Sequence, residues 1–192
     1  MSEPETIDRI LDAASDVFHA HGVQKSRMGH VAEAAELSRA TLYRYFATKE
    51  LLVEAFAVRE LERMSRRVVA EVEGERRLSE RLALAIAFAI ETTRETPAIR
   101  PFFEPEAHGI TLSIPSRSLP MGPSLLAMLL AVVGDHDGEE RLRPDLPPNE
   151  LLEWVVRLVL SLAMVPGPDR SREGLRAFVR RLVRPAFVVD AV

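Results

Sequence analysis

A helical repeat of apolar residues runs through most of this chain and constrains its fold more than any other feature. Apolar side chains recur at intervals of three and four residues, which is the spacing of one face of an α-helix. The first such segment places them at Ile7, Ile10, Leu11, Ala14 and Phe18. No alternating apolar and polar run bounded by turn residues indicates a sheet. We therefore predict an all-α fold.

Residues that suit helix ends divide the amino-terminal part into three helices. The repeat predicts them over residues 6–22, 27–35 and 39–46. Ser26 and Ser38 are predicted to be the N-caps of the second and third, because a serine hydroxyl accepts a hydrogen bond from a free amide of the first turn. The first helix ends at a glycine, which suits a C-cap.

The remaining helices are longer. A fourth helix follows its predicted N-cap Thr48 and keeps an apolar stripe until Gly74, and a fifth covers residues 78–95. Six of the 13 prolines then fall between Pro97 and Pro123, so no single long helix can cross that stretch. Further helices are predicted over residues 124–133, 150–165 (with Asn149 as N-cap) and 172–188.

Charge and cysteine content exclude several classes of protein. The 192 residues carry 25 Lys plus Arg against 29 Asp plus Glu, a net charge of −4, and contain no cysteine. A protein that coats nucleic acid non-specifically would be basic, and disulfide or zinc–thiolate frameworks need cysteine. The acidic start is unlike a secretory signal and the apolar runs are too short for a membrane span. We therefore expect a cytoplasmic protein with no membrane association.

The segment from Gly22 to Phe56 has the order and lengths of a helix-turn-helix, in which the second helix enters the major groove of DNA. Hydrogen-bonding and aromatic side chains cover the outer face of the predicted recognition helix, residues 39–46: Arg39, Thr41, Tyr43, Arg44 and Tyr45. Between Gly22 and Glu50 the net charge is +2, so the rest of the chain carries −6. This asymmetry favours a sequence-specific DNA-binding protein that recognises its site through a few side chains.

Residues 38–52, SRATLYRYFATKELL, resemble the recognition helix of the TetR family of transcriptional regulators and its junction with helix four, and residues 31–35 resemble its second helix. The resemblance implies a homodimer, a repressor released from operator DNA by a small-molecule effector. It also implies a DNA-binding domain over residues 1–48 and a helical ligand-binding and dimerisation domain over residues 49–192.

Several DNA contacts are expected in the recognition helix. Arg39 is the candidate for base recognition, since a guanidinium can grip guanine O6 and N7 together, although a phosphate contact is the alternative. Thr41 is a candidate for contact with a thymine methyl or a phosphate. By family resemblance, Tyr43 and Tyr45 present their hydroxyls to the DNA backbone or to base edges.

Two cations are predicted to bind phosphates at helix starts, Lys49 on the fourth helix and Arg27 on the second. One residue departs from the family pattern, because Glu36 stands where the turn usually holds glycine. It must adopt a left-handed conformation or reshape the turn, and its carboxylate would oppose phosphate.

In the carboxy-terminal half, the resemblance implies a ligand cavity and a dimer interface made by the last two helices. The expected interface consists of Leu151, Val155, Leu158, Leu162, Leu175, Phe178, Val179 and Leu182, with a monomeric core as the alternative. Aromatic, thioether and imidazole groups are candidates for a largely apolar pocket or for ordinary core: Phe88, Phe102, Phe103, His108, Met121, Met128, Trp154 and Met164.

Nothing in the sequence has the spacing of a catalytic site. The five histidines form no His-x-x-x-His pair, and there is neither a phosphate-binding glycine loop nor a nucleophile elbow. We therefore expect no enzyme activity, no cofactor and no metal. The alternative function is a helical small-molecule binding or scaffolding protein whose helix-turn-helix does not bind DNA.

Overall fold

A computed structural model describes residues 2–96, 121–134, 139–165 and 167–190, and it confirms the all-α prediction. The helices of the described part are α1 (Glu3–Lys25), α2 (Met28–Ala34), α3 (Arg39–Tyr45), α4 (Lys49–Glu71), α5 (Leu78–Glu95), α6 (Met121–Val133), α7 (Pro148–Met164) and α8 (Arg172–Phe187). None of these helices combines the length and the apolarity needed to cross a membrane. Most of the proline-rich stretch 97–123 lies outside the described residues.

The described residues form two compact units. The N-terminal unit comprises residues 2–60 with 95–96, and the C-terminal unit comprises residues 61–94 and the described residues from 121 onwards. Helix α4 is continuous from one unit into the other. The sequence predicts a boundary between residues 48 and 49 that separates two functions, DNA binding and ligand binding. That boundary stays a prediction.

Two predicted N-caps are confirmed and two are wrong. Ser38 Oγ accepts from Thr41 N at 3.0 Å, and Thr48 Oγ1 accepts from Leu51 N at 3.2 Å. Ser26 instead closes the end of α1, donating to the carbonyl oxygen of Gly22 at 2.6 Å. A serine near a helix boundary can bond either way, and here the free carbonyls of α1 receive it.

The first helix does not end at Gly22 as predicted: Gly22 interrupts the helical geometry with φ 73° and ψ 156°, and the C-cap is Ser26. One more turn follows Gly22 as far as Lys25. The start of α7 also differs from the prediction, because α7 begins at Pro148 after the extended residue Pro147, so Asn149 is not its N-cap. Proline is well suited to a first helical position, where no amide hydrogen is needed.

The core of the N-terminal unit contains buried residues of α1, α2, α3 and α4. Phe18 and Phe56 are fully buried there in an edge-to-face contact, with ring centroids 5.3 Å apart. At its edge, Arg59 of α4 donates to the carboxylate of Asp12 at 2.9 Å and to the carbonyl oxygen of Asp8 at 3.3 Å. These contacts hold α1 against the first half of α4.

The C-terminal unit contains a short antiparallel ribbon that the sequence did not predict. Strand β1 (Glu140–Leu142) pairs with strand β2 (Val188–Asp190), in a register that aligns Arg141 with Val189. Each strand has three residues. A run this short shows no recognisable alternation of apolar and polar residues, so the pattern could not reveal it.

Glu140 anchors this ribbon to the start of α5. Its carboxylate is 7% exposed and accepts from the backbone amide of Ser79 at 2.7 Å and from Arg184 Nε at 3.3 Å. Ser79 is the second residue of α5, so the carboxylate caps that helix from a distant part of the chain. Burial raises the pKa of the Glu140 carboxyl, but the bonds from Ser79 and Arg184 outweigh it and hold the pKa below its usual value.

A buried guanidinium closes the ends of two other helices. Arg81 of α5 is 9% exposed. Its Nε donates to the carbonyl oxygen of Val132 at 2.8 Å, and Nη1 and Nη2 donate to those of Val72 at 3.0 Å and Ala131 at 3.2 Å. These carbonyls lie at the carboxyl ends of α4 and α6, where backbone oxygens lack helical partners and the helix dipole favours a cation.

Arginines four residues apart on α8 form a ladder of ion pairs along one side of that helix. Arg176 Nη2 lies 3.0 Å from a carboxylate oxygen of Glu80, and Arg180 binds the same carboxylate. Arg172 at one end pairs with Glu71, and Arg184 at the other pairs with Glu140. The ladder fixes α8 laterally while its apolar side enters the core.

We predict that Glu140→Gln lowers the free energy of unfolding by about 1 to 3 kcal/mol at pH 7, because the buried cap loses its negative charge and Arg184 keeps only Asp190 as an ion-pair partner. Since the folded pKa is depressed, the stabilisation is complete above the ordinary glutamate pKa of 4.5 and fades as the pH falls through the lower folded value. Urea unfolding at pH 7 and at lower pH measures both effects. The exposed neighbour Glu139 supplies the control Glu139→Gln, and equal stabilities of the two variants would contradict the prediction.

Candidate DNA-binding surface

The turn between α2 and α3 is a Schellman motif with glutamate in the position that usually holds glycine. Leu37 N donates to Ala32 O at 2.8 Å and Glu36 N donates to Glu33 O at 3.0 Å, which closes the end of α2. Glu36 has φ 52°, the one positive φ among described non-glycine residues. The predicted left-handed conformation is therefore confirmed, and the side chain is exposed.

Helix α3 turns a narrow apolar side inward and a polar side outward. Leu42 is completely buried and Phe46 is nearly so, and both belong to the core of the N-terminal unit. Arg39, Ala40 and Arg44 are exposed. This division agrees with the predicted inner and outer faces of the recognition helix.

The outward side chains of α3 differ in exposure and in the contacts that they make within the protein. Tyr43 is 48% exposed. Thr41 is half-buried, with its hydroxyl 2.8 Å from that of Ser38. Tyr45 is also half-buried against the core, and the guanidinium carbon of Arg44 lies 5.3 Å from its ring centroid. Arg44, to which the sequence assigned no DNA contact, is thus held over Tyr45 by a cation–π interaction.

Arg39 begins α3, and its side chain reaches back to α2. The guanidinium lies beside Gly29, close enough that a Cβ atom at position 29 would stand 2.9 Å from Nη2. Among the described residues, none accepts a hydrogen bond from this guanidinium or pairs with it. Its donors are therefore available to an external partner.

Lys49, the first residue of α4, links the start of that helix to the end of α1. Its ammonium donates to the carbonyl oxygen of Gln24 at 2.9 Å. Burial lowers the pKa of Lys49, and the nearby carboxylate of Glu50 opposes that shift. An ammonium has three donors, so two remain for a phosphate. The Gln24 contact spans 25 residues of sequence, which is why the local pattern could not predict it.

Arg27 lies at the start of α2, as predicted. It is the N-cap residue of that helix, with extended backbone and no side-chain capping bond, and its side chain is exposed. The structure thus presents Arg27, Arg39, Tyr43 and Lys49 within one small unit, each with polar groups that the fold leaves available.

Three of the eight predicted dimer residues belong to the core of their own subunit. Leu151, Leu175 and Val179 are 1%, 6% and 0% exposed, and they belong to the same buried apolar cluster as residues of α5 and α6. These three residues are therefore removed from the predicted dimer interface. Val155, Leu158, Leu162 and Phe178 are half-buried, and Leu182 is 44% exposed.

Four of the eight predicted pocket side chains lie within the described residues, and their grouping into a pocket stays a prediction. Phe88 is flanked by the guanidinium groups of Arg67 and Arg172, at 5.2 and 5.8 Å from its ring centroid. Trp154 meets Phe187 edge-on at 4.5 Å. Met128 packs against the apolar core of the C-terminal unit, and Met164 is half-buried. Phe102, Phe103 and His108 lie outside the described residues, as does the side chain of Met121.

A cavity of about 250 Å³ lies in the C-terminal unit, but it is not the predicted apolar pocket. Charged side chains of α5, β1, α8 and β2 line it, Glu80, Glu140, Arg180 and Arg184 among them. Of the four predicted pocket side chains that the structure describes, none contributes to its walls: Phe88, Met128, Trp154 and Met164. In the part of the chain that the structure describes, no three His, Asp or Glu side chains form a group suited to a metal ion.

Comparisons with known proteins agree on one family. The family model described as "Bacterial regulatory proteins, tetR family" matches residues 10–56. An uncharacterised HTH-type transcriptional regulator of Mycobacterium tuberculosis is 34% identical over 181 residues, which cover 93% of this chain and 83% of that protein.

Two solved structures share the fold. The fatty acid degradation regulator FadR of Bacillus halodurans has a TM-score of 0.67 at 16% identity, with coverage of 95% of this chain and 96% of that one. FadR of Bacillus subtilis in complex with stearoyl-CoA has a TM-score of 0.61 at 16% identity, with coverage of 91% and 96%. At these identities the likeness concerns the fold.

We predict that Glu36→Gly raises the free energy of unfolding by about 1 kcal/mol, because glycine adopts a positive φ without the steric cost that a Cβ imposes. Denaturant unfolding measures this change. Glu36→Gln is the matched control, since it removes the charge and keeps the strained backbone. Both variants should bind DNA more tightly through loss of the carboxylate, and a stabilisation of equal size in Glu36→Gln would show that backbone strain is not the cause.

Proposed function

This chain belongs to the TetR family and is a DNA-binding transcriptional regulator, and from that premise we propose that it is a repressor that a small molecule releases from operator DNA. The observation that carries the proposal is the outer face of α3, where Arg39 and Tyr43 stand exposed above the buried Leu42. A helix with this division of faces can enter the major groove without giving up its own packing.

The proposed DNA contacts divide into two kinds. Arg39 reads a base edge, because its fork of donors matches the two acceptors of guanine, while Thr41, Tyr43 and Tyr45 bind the backbone or neighbouring base edges. Arg27 and Lys49 bind phosphates from the starts of α2 and α4, where free backbone amides add to the attraction. Phosphate contacts set affinity and register, and the base contact supplies specificity.

We propose that the protein works as a homodimer, since a twofold operator requires two recognition helices about 34 Å apart. Half-buried apolar residues on α7 and α8 support this arrangement, because a subunit alone leaves them partly in water: Val155, Leu158, Leu162, Phe178 and the exposed Leu182. Burial of such a surface against a second copy would remove it from solvent.

We propose an effector that is largely apolar in the part that enters the pocket, and the first candidate is a long-chain acyl-CoA, whose acyl chain would supply that part. Support comes from the apolar and thioether side chains predicted for the pocket and from the shared fold of FadR of Bacillus subtilis, which was solved with stearoyl-CoA. The effector must bind the DNA-free geometry better than the DNA-bound geometry, because only differential affinity shifts the equilibrium. The proposal includes no catalytic activity and places the protein in the cytoplasm with its DNA.

We predict that Lys49→Gln weakens operator binding and makes the plot of log affinity against log salt concentration shallower by about 1 for each protomer, because one phosphate contact is lost. Glutamine keeps an N–H donor but removes the positive charge. Binding is measured by fluorescence anisotropy on duplexes selected from the DNA flanking the gene. Lys25→Gln, at the exposed end of α1, is the control, and identical slopes for both variants would contradict the phosphate role.

We predict that saturating stearoyl-CoA lowers operator affinity by about tenfold or more, within the usual range of allosteric coupling. Coenzyme A without the acyl chain is the control, and calorimetry establishes whether each compound binds. Binding of stearoyl-CoA with unchanged operator affinity would rule it out as the effector. A wild-type protein that binds no duplex specifically would favour the alternative, a helical small-molecule binding or scaffolding protein.

A further inference from the structure

Gly29 is an unexpected residue within α2. It is the second residue of a seven-residue helix, Met28–Ala34, and has ordinary helical backbone with no positive φ. Glycine is a poor helix former, since it loses more conformational freedom than alanine and offers no side chain to pack. The backbone of α2 therefore gives no reason for a glycine here.

The reason lies in α3, on the opposite side of the turn. A Cβ atom at position 29 would stand 2.9 Å from Nη2 of Arg39 and 3.3 Å from both its Cζ and its Nε. Three atoms of one planar group at such distances mean that the guanidinium occupies the space that a side chain at position 29 would fill. We call this space the Gly29 gap.

Arg39 reaches the gap because of its position in α3. It is the first residue of that helix, and helical side chains point back towards the amino terminus of their own helix. Its path therefore leads over the start of α2. Ser38, the N-cap, fixes the backbone from which it departs through its bond to Thr41 N.

The guanidinium lies in the gap, and its donors have no partner among the described residues. No hydrogen-bond acceptor or carboxylate among the described residues engages Arg39. An arginine tied to a carboxylate would have to break that pair before it reached a base. An arginine with no contact at all would lose more side-chain freedom when it bound.

We propose that Gly29 determines operator specificity through Arg39: the missing side chain lets the guanidinium lie against α2 with its donors open to a base pair. Gly29 is thus a positioning residue, and the inference rests on the proposed base contact of Arg39. The three atoms that a Cβ at position 29 would meet first all belong to the flexible end of Arg39. The fold should therefore tolerate alanine at position 29, whereas the guanidinium of Arg39 should lose its present orientation.

The test is a double-mutant cycle on DNA. Wild type, Gly29→Ala, Arg39→Ala and the double variant each select from a random-sequence duplex library, and their affinities are then measured on the wild-type consensus and on its single-base-pair changes. Circular dichroism and thermal unfolding check the fold. Gly29→Ser, with a Cβ in the same place, provides a second variant.

We expect Arg39→Ala to lose about tenfold or more in affinity and its preference at one base pair of each half-site. Gly29→Ala and Gly29→Ser should lose about fivefold and weaken the preference at that same base pair, with a thermal midpoint at or above that of wild type. In the Arg39→Ala background, Gly29→Ala should change affinity by less than about twofold, because the group it displaces is absent.

Two results would overturn the inference while leaving the proposed function intact: a wild-type preference in Gly29→Ala, or a loss in the double variant equal to the product of the single losses. If Arg39→Ala keeps the wild-type preference, the proposed base contact itself fails, and the inference fails with it. The affinity of the wild type for its selected duplexes is measured first. A wild type that binds none of them would contradict the proposed function itself, and this outcome differs from both results above.

Discussion

The burial of Leu42 against the core of the N-terminal unit is the contact on which the candidate DNA-binding surface depends. Helix α3 has seven residues, fewer than an isolated helix needs to persist in water, so its stability comes from outside the helix. Leu42 fixes its inner side, Ser38 its start and Phe46 its end. Because so few residues hold it, most of its surface remains free for DNA.

Much of this surface could be predicted from sequence because it is built from local interactions. The caps Ser38 and Thr48 bond within three residues of themselves, and Glu36 follows from the position of the turn between two helices. The wrong cap, Ser26, shows the limit of such rules, since the same hydroxyl can serve the helix before it or the helix after it.

Contacts between distant parts of the chain could not be predicted. The bond from Lys49 to Gln24, the cap from Glu140 to Ser79 and the approach of Arg39 to Gly29 each join residues that no periodic pattern connects. The same applies to the dimer prediction, because a helical stripe shows that Leu151 is apolar and does not show whether its own subunit or another covers it. Such outcomes depend on tertiary packing.

The bond that Lys49 makes has a consequence for chemical modification. Lys25 and Lys49 are the only lysines in the sequence, and both lie in the N-terminal unit. Acylation of side-chain amines is therefore confined to the N-terminal unit, which carries the candidate DNA-binding surface, whereas the many arginines of α8 do not react. Lys49 combines a lowered pKa, which increases its neutral and nucleophilic fraction, with partial burial against Gln24, which restricts access. Both effects depend on the burial of Lys49 beside the end of α1, so the two lysines should differ in reactivity while that contact is in place.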